Sequence, residues 1–142
     1  CSVERVPNWM AVRGARYLHG IDVDLNALPD GALTLAVVAL FARGRTSIRN
    51  VANLRLKETD RMAALETELR KLGAQVETTE TDLLIDPPAR VTPCRIATYD
   101  DHRMAMSFAV AGLVVEGIVI QDPDCVRKTF PGFFDELRHL SA

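Results

Sequence analysis

Charged and polar side chains recur in this sequence at the starts of predicted helices. They form four groups, two in each half of the chain: Asp30; Asn53, Arg55, Lys57, Glu58 and Arg61; Asp101, His102 and Arg103; Arg127 and Lys128. A helix N-terminus presents unpaired backbone N–H groups and the positive end of the helix dipole, so it favours an anion. Arginine and lysine oppose that dipole, and a bound anion explains them better than folding stability does. The pattern predicts a ligand with carboxylate or phosphate groups, which arginine binds in a bidentate geometry.

Each of these residues, taken singly, also has a structural explanation. Asp30 and Asp101 suit the N-cap of the helix that follows, a contribution of about 1 kcal/mol each. Arg61 could pair with Glu58 or Glu68 on its own helix face. The other members could be exposed turn residues or, for the histidine, a hydrogen-bonded structural side chain: Lys57, Glu58, Lys128 and His102. The recurrence of cations at equivalent helix starts favours the anionic ligand.

Glu58 adds acid–base capacity to this predicted anion site. It follows Lys57 directly and lies near Arg61 in the sequence, so we expect these cations to favour its ionised form. It could donate a proton only if the occupied site is dry enough to reverse that effect.

The predicted elements alternate between strands and helices. Strands are predicted at 21–25, 46–51, 95–98 and 118–121, with a hairpin at 75–79 and 83–86. Apolar helices are predicted at 32–43, ended by Gly44, and at 104–115, ended by Gly117; amphipathic helices are predicted at 61–72, ended by Gly73, and at 133–140. Polar turns are predicted at 53–58 and 122–129. This order predicts the α/β class, with helices packed under sheets.

The two halves of the chain resemble each other at a spacing of about seventy residues. Matching positions include Gly44 with Gly117, Ile48 with Ile120, and Lys57 with Lys128. We therefore predict two repeat units, at about 1–73 and 74–142. Equivalent helix starts of successive units should open on the same edge of the domain.

Composition limits the function classes. A net charge of −2 with 25% charged and 48% hydrophobic residues is typical of a compact globular domain and argues against a basic nucleic-acid-binding arm. The apolar runs 32–42 and 104–115 are too short to cross a bilayer. Three cysteines without a zinc-ligand spacing predict reduced thiols in a cytoplasmic protein, and no metal site. The absence of an initiator Met leads us to expect a piece of a longer polypeptide.

Three motifs resemble the C-terminal signatures of the enolpyruvylshikimate-phosphate synthase family. They are residues 53–61 (NLRLKETDR), 99–106 (YDDHRMAM) and 128–131 (KTFP), and residues 28–30 (LPD) before an apolar helix also fit. The motifs follow in order over nearly the whole chain. The sister family of cell-wall enolpyruvyl transferases shares the fold and lacks the KETDR block.

The resemblance implies a two-domain enzyme in which each domain contains three βαβαββ units with helices packed inside. Residues 1–142 would form a single partial domain, two units of the C-terminal domain. The partner of this chain would be the N-terminal domain of the same polypeptide, which carries further substrate ligands. Without it, the chain is expected to be inactive.

The resemblance also implies a reaction, one step of aromatic amino-acid biosynthesis and the target of glyphosate. Phosphoenolpyruvate is joined to a hydroxyl of shikimate 3-phosphate through a tetrahedral intermediate, phosphate is released, and no metal or other cofactor takes part. Asp30 would contact the attacking hydroxyl as the leading base candidate, and Glu58 would protonate the phosphoenolpyruvate methylene, although which carboxylate is acid and which is base stays open. The substrate-binding residues would be Asn53 and Lys57 for the shikimate side, Arg61 and Arg103 for the phosphoenolpyruvate carboxylate, and Lys128 for its phosphate.

Two alternative functions stay open at this point. The parent enzyme could transfer the enolpyruvyl group to a nucleotide sugar, or the chain could be a non-catalytic module that only binds anionic substrate. In every case the expected partners are small molecules, with neither nucleic acid nor membrane.

The repeat leads to a geometric expectation. Arg61, Arg103 and Lys128 should converge although they lie far apart in the sequence. Because three cations repel one another, they should be partly solvated or hold a buffer anion when no substrate is bound.

Overall fold

The computed structural model describes residues 1–141 of the chain, and the described part forms ten β-strands and four α-helices. The strands are β1 (Ser2–Val6), β2 (Trp9–Arg13), β3 (Leu18–His19), β4 (Asp22–Asp24), β5 (Ala42–Arg43), β6 (Thr46–Arg49), β7 (Gln75–Thr78), β8 (Leu83–Asp86), β9 (Arg95–Ile96) and β10 (Val119–Ile120). The α-helices are α1 (Gly31–Ala39), α2 (Arg61–Lys71), α3 (His102–Gly112) and α4 (Phe133–Ser141). Two 3₁₀ helices occupy Ala52–Leu56 and Pro123–Lys128.

The principal sheet has the strand order β4-β6-β8-β7. β4 pairs with β6 in parallel, whereas β8 pairs antiparallel with both β6 and β7. Alternate side chains of these strands point to the same face of the sheet. On the inner face, buried Ile48 is paired with Leu83 and buried Val76 with Ile85. α1 packs against β6 and β8, and α2 against β7, so helices cover this face of the sheet. The predicted α/β layering is confirmed.

Three helices meet in the hydrophobic core. α1 packs against both α2 and α3, and α3 also contacts the second 3₁₀ helix. The core side chains of these helices include Leu33, Ala36 and Val37 of α1; Met62, Leu65 and Leu69 of α2; and Met104, Phe108 and Ala111 of α3. Because α1 and α3 pack side by side, their N-termini open at the same edge of the domain, where the charged residues lie. Within the described residues, none of the helices has the length and apolar composition that a bilayer crossing requires.

The amphipathic helix and the hairpin of the first half were predicted closely. α2 begins at Arg61 as expected, and Gly73 follows it with a φ of +99°, a conformation that favours glycine. The hairpin β7–β8 forms at the predicted place. These elements are well predicted because each has one buried and one polar face, and the period of that alternation is visible in the sequence.

The prediction of a helix over 32–43 is wrong at its C-terminal end. α1 ends at Ala39, and Ala42–Arg43 forms strand β5, which pairs in parallel with β3. Gly44, with a φ of +86°, turns the chain between β5 and β6 instead of ending the helix. A continuous apolar run has no periodicity that separates a buried helix from a buried strand. The second apolar helix begins where residues 101–103 were predicted to open it, but α3 ends at Gly112 and not at the predicted residue 115.

The first 13 residues form a hairpin that the sequence analysis did not predict. β1 and β2 pair antiparallel, and their side chains are almost all exposed. With little burial, the ribbon has no apolar–polar alternation to detect. Pro7 and Asn8 between two short runs are the turn signal that could have found it.

The division into two units stays a prediction, and two features support it. Parallel pairs β4–β6 and β9–β10 each enclose a buried helix along the chain. Asn50 and Asp122 both have positive φ, and both lie just ahead of a 3₁₀ helix.

Two leucines test the assigned core. Leu65 is fully buried and Leu56 is 88% exposed. Leu65→Ala should lower the free energy of unfolding by about 2–5 kcal/mol because it leaves a cavity under the sheet. Leu56→Ala should change it by less than about 0.5 kcal/mol. Chemical denaturation measures both, and equal effects would contradict the assigned packing of α2.

Candidate active site

Arg61, the first residue of α2, is the centre of the charged cluster. Its side chain is 1% exposed, yet every nitrogen of the guanidinium has a carboxylate partner. Nε donates to Asp101 Oδ2 at 2.6 Å, and Nη2 donates to Asp101 Oδ1 at 3.2 Å. Nη1 donates to Asp30 Oδ1 at 2.9 Å, and Nη2 also donates to Glu58 Oε2 at 2.8 Å. One buried cation thus joins carboxylates from three separate segments of the chain.

The two aspartates at helix starts behave differently. Asp101 caps α3 as predicted, because its Oδ1 accepts from the backbone N–H of Arg103 at 2.8 Å. The predicted cap at Asp30 is wrong: its side chain makes no capping bond to α1. Asp30 has helical backbone angles (φ −64°, ψ −24°) instead of the extended conformation usual at an N-cap. Its carboxylate binds two guanidinium groups, those of Arg61 and Arg103. Such charge-assisted hydrogen bonds are stronger than a bond between neutral groups.

Two further cations complete the cluster on its solvent side. Arg103 Nη2 lies 3.0 Å from Asp30 Oδ2, and Lys128 Nζ lies 2.9 Å from Glu58 Oε1. Each of these carboxylates therefore bridges Arg61 to an outer cation. The predicted convergence of Arg61, Arg103 and Lys128 is confirmed. The outer two side chains are 39% and 59% exposed, as expected, but the expectation that Arg61 is partly solvated is wrong.

A cavity of 240 Å³ opens at this cluster. Its lining residues come from both halves of the chain and are Asp30, Lys57, Glu58, Arg61, His102, Arg103, Lys128 and Thr129. The structure does not bring Asn53 into this cavity: Asn53 lines a separate 380 Å³ cavity with Asn26, Asn50, Ala52 and Thr81. Two larger clefts, of 670 and 580 Å³, contain none of the residues predicted to be catalytic or to bind substrate, although Arg127 lines the second of them. The convergence of ionisable groups therefore identifies the 240 Å³ cavity as the candidate active site.

The surrounding cations keep Glu58 ionised. The hydrogen bond from Lys128, a backbone hydrogen bond and the charge of Arg61 together lower the pKa of Glu58 from 4.5 to about 2, against the opposing effect of burial. The expectation that neighbouring cations favour the carboxylate is confirmed for Arg61 and wrong for Lys57, since the largest effect comes from Lys128 instead. Arg61 stays charged: burial, the largest single effect, lowers its pKa, but Asp101, Glu58 and Asp30 together raise it above the ordinary arginine value.

His102 is buried beside this cluster. Its Nδ1 has no hydrogen-bond partner among residues 1–141 and lies 4.0 Å from Glu58 Oε1. Burial lowers the pKa of His102, although the charges of Asp101 and Glu58 act in the opposite direction. The imidazole is therefore neutral near pH 7. The prediction of a hydrogen-bonded structural histidine is wrong for Nδ1.

Sequence reasoning missed how much of the site depends on Asp101. That residue was interpreted as a helix cap, but it also holds Arg61 from 40 positions away. A contact at that separation leaves no periodic signal in a single sequence. Of the two partners considered for Arg61 on its own helix face, the pairing with Glu58 is confirmed. The pairing with Glu68 is wrong, because Lys71 and Tyr99 occupy that carboxylate.

Comparison with known proteins identifies the class to which this fold and site belong. The sequence matches the family described as EPSP synthase (3-phosphoshikimate 1-carboxyvinyltransferase) over residues 1–137. It is 56% identical, over 125 residues, to a 3-phosphoshikimate 1-carboxyvinyltransferase of Aliivibrio salmonicida, covering 88% of this chain and 29% of that protein. It is 55% identical, over 128 residues, to the chloroplastic enzyme of Brassica napus, covering 90% of this chain and 25% of that protein.

A solved structure gives the same result. The chain superposes on an EPSP synthase from Acinetobacter baumannii with a TM-score of 0.84 and 29% identity, covering 92% of this chain and 32% of that one. The chain therefore belongs to the EPSP (enolpyruvylshikimate-phosphate) synthase family. It spans about 29% of the length of the Aliivibrio relative.

The pKa of Glu58 is the first test of the site. We expect about 2 by NMR of the side-chain carboxyl, against an ordinary 4.5. Because folding lowers this pKa, the stability that depends on it is fully present above about pH 4.5 and is lost as the pH falls toward 2. Lys128→Ala should raise the pKa, whereas Arg127→Ala should not, since Arg127 pairs with Asp124. If the pKa of Glu58 is the same in Lys128→Ala as in the wild type, the contact between Lys128 and Glu58 is contradicted.

The two arginines should differ in their effect on stability. Arg61→Met leaves Asp101 buried without its cation and should lower the free energy of unfolding by about 3–5 kcal/mol. Arg103→Ala removes a partly exposed ion pair and should change it by no more than about 0.5 kcal/mol. Denaturant titration compares them. Equal losses would show that Arg103, too, is structural.

Proposed function

We propose that this chain is the C-terminal portion of an enzyme that transfers the enolpyruvyl group of phosphoenolpyruvate to shikimate 3-phosphate and releases phosphate. The observation that carries the proposal is the convergence of three cations on two shared carboxylates at the helix N-terminal edge. Its relatives at 55–56% identity carry the name of this transferase. The substrate is small and carries carboxylate and phosphate, which suits this charge arrangement.

In this proposal the outer cations bind phosphoenolpyruvate by exchanging partners. Arg103 leaves Asp30 for the substrate carboxylate, and Lys128 leaves Glu58 for the substrate phosphate. Both side chains are exposed enough to reorient without breaking the core. Arg61 is buried and can reach the carboxylate only by giving up one of its own partners. Asp30, 35% exposed, is its most accessible partner.

The same exchange prepares the proton transfers. Lys128 is the largest cause of the lowered pKa of Glu58, and its departure to the phosphate removes that cause. The arriving anion raises the Glu58 pKa further, so this carboxyl can hold the proton that the methylene carbon of phosphoenolpyruvate takes up. Asp30, released from Arg103, then accepts the proton of the shikimate hydroxyl. The hydroxyl oxygen attacks the phosphoenolpyruvate carbon that lies next to the methylene and carries the phosphate. The tetrahedral product loses phosphate and a methyl proton to give the enolpyruvyl ether.

The shikimate side would bind toward the 380 Å³ cavity that Asn53 lines. Asn53 lines that cavity from within the first 3₁₀ helix, and Lys57, which lines the phosphoenolpyruvate cavity, directly follows the end of the same helix. We propose that Lys57 and Asn53 hold shikimate 3-phosphate there. The other substrate ligands would come from the N-terminal domain that the family resemblance implies, and the chain spans only about 29% of the length of the Aliivibrio relative, so the isolated chain is proposed to be inactive. We propose the cytoplasm as its location.

Turnover tests this proposal. The polypeptide encoded by the complete reading frame, called the complete polypeptide, should release phosphate from phosphoenolpyruvate with shikimate 3-phosphate as acceptor. Arg103→Ala should lower kcat/KM for phosphoenolpyruvate by about tenfold to a hundredfold, the worth of one charge-assisted contact, with little change in melting temperature.

Two controls separate the alternatives. Turnover with a nucleotide sugar only would contradict the shikimate substrate. Residues 1–142 alone should be inactive, and phosphate release should appear when they are mixed with an N-terminal part. Robust activity of the chain alone would overturn the need for that part.

A further inference from the structure

Besides Asp101, the chain buries one other carboxylate among its described residues: Glu68 of α2, which does not line the cavity. Glu68 lies two helical turns after Arg61 and is fully buried. Lys71 Nζ donates to both of its oxygens at 2.8 Å, and Tyr99 Oη donates to Oε1 at 2.7 Å. The backbone N–H of Ala97 donates to Oε2 at 3.2 Å. A carboxylate is rarely buried unless it is fully paired, so the burial of Glu68 among these donors needs a structural or functional explanation.

Two of those donors belong to the segment that leads into α3. Thr98 O accepts from the N–H of Asp101 at 2.9 Å and closes a tight turn around Tyr99 and Asp100. Both central residues have a φ of +55°, the signature of a type I′ turn, in which glycine, asparagine and aspartate are the usual residues. A tyrosine in this left-handed region is an outlier and needs support from its surroundings.

Glu68 supplies that support at the start and middle of the turn. It binds the backbone at Ala97 and the side chain of Tyr99, while Arg61 binds Asp101 at the end of the turn. Both ends of the strained turn are therefore tied to one rigid helix, α2. The Tyr99 hydroxyl keeps its proton for this bond, because burial and the hydrogen bond to Glu68 raise the pKa of Tyr99 to about 12.

The turn sets where the cavity residues of α3 lie. His102 and Arg103 follow Asp101 directly, and both line the candidate active site. We propose that Glu68 and Tyr99 are positioning residues, which hold the strained turn so that Asp101 keeps Arg61 in place and His102 and Arg103 meet the anionic substrate. This inference rests on the proposed function and adds to it two residues that lie outside the cavity.

Tyr99→Phe is the most selective test, because it removes one hydroxyl and leaves Glu68 its other donors. In the complete polypeptide it should raise KM for phosphoenolpyruvate and lower kcat/KM for that substrate by about tenfold. KM for shikimate 3-phosphate should stay unchanged, since Asn53 and Lys57 lie at the first 3₁₀ helix. Glu68→Gln, which leaves one oxygen for several donors, should approach a hundredfold.

Matched controls separate positioning from general stability. Tyr17→Phe alters a tyrosine that is 45% exposed and stacks on Arg43, so its constants should equal those of the wild type. Glu66→Gln alters another α2 carboxylate with two partners, Thr78 and Arg70, on the side of the hairpin. It should lower the melting temperature with unchanged KM values.

Each outcome decides the inference. A selective rise in KM for phosphoenolpyruvate in Tyr99→Phe supports it. Constants equal to those of Tyr17→Phe, or a lower kcat with both KM values unchanged, would overturn it while wild-type turnover upholds the proposed function. Wild-type enzyme without turnover would overturn the proposed function and this inference together. Tyr99→Phe decides the question even if Glu68→Gln fails to fold.

Discussion

The site depends on one buried guanidinium. Arg61 is removed from water, and removing such a charge is unfavourable unless strong partners surround it. Asp101, Asp30 and Glu58 provide those partners, and they come from the start of α3, the start of α1 and the segment before α2. Satisfying one cation therefore fixes three parts of the chain relative to one another. The convergence of the outer residues is a consequence of this requirement.

Sharing of partners defines the cluster: Arg61 has three carboxylate partners, and two of these carboxylates each bind a second cation. Asp30 and Glu58 each hold Arg61 on the inner side and a partly exposed cation on the outer side. An arriving anion can therefore take the outer cations while Arg61 still binds Asp101, the carboxylate that is fully buried. The cations provide the binding site for an anion. Until an anion binds, they also keep Glu58 ionised, so that it has no proton to donate. In the proposal above, Glu68 and Tyr99 act on the same cluster from outside the cavity, because they hold the turn that positions Asp101.

Much of the fold and most of the site were predictable from the sequence, for identifiable reasons. α2 and the hairpin β7–β8 have amphipathic patterns, and the recurrence of cations at helix starts indicated an anion site without reference to any family. The end of α1 was not predictable, because a fully apolar run has no periodicity. The burial of Arg61 was missed for a different reason. Its partner Asp101 is 40 residues away, so only the packed structure brings the two together.

The coupling between Arg61 and Asp101 tests this account most directly. A double-mutant cycle with Arg61→Met, Asp101→Asn and the double variant measures it through the free energy of unfolding. We expect a coupling of at least about 3 kcal/mol, with the double variant no less stable than either single one, because each single change leaves a buried group unpaired. Single effects that add to within about 0.5 kcal/mol would show that the two residues act independently and would contradict the central role of this pair.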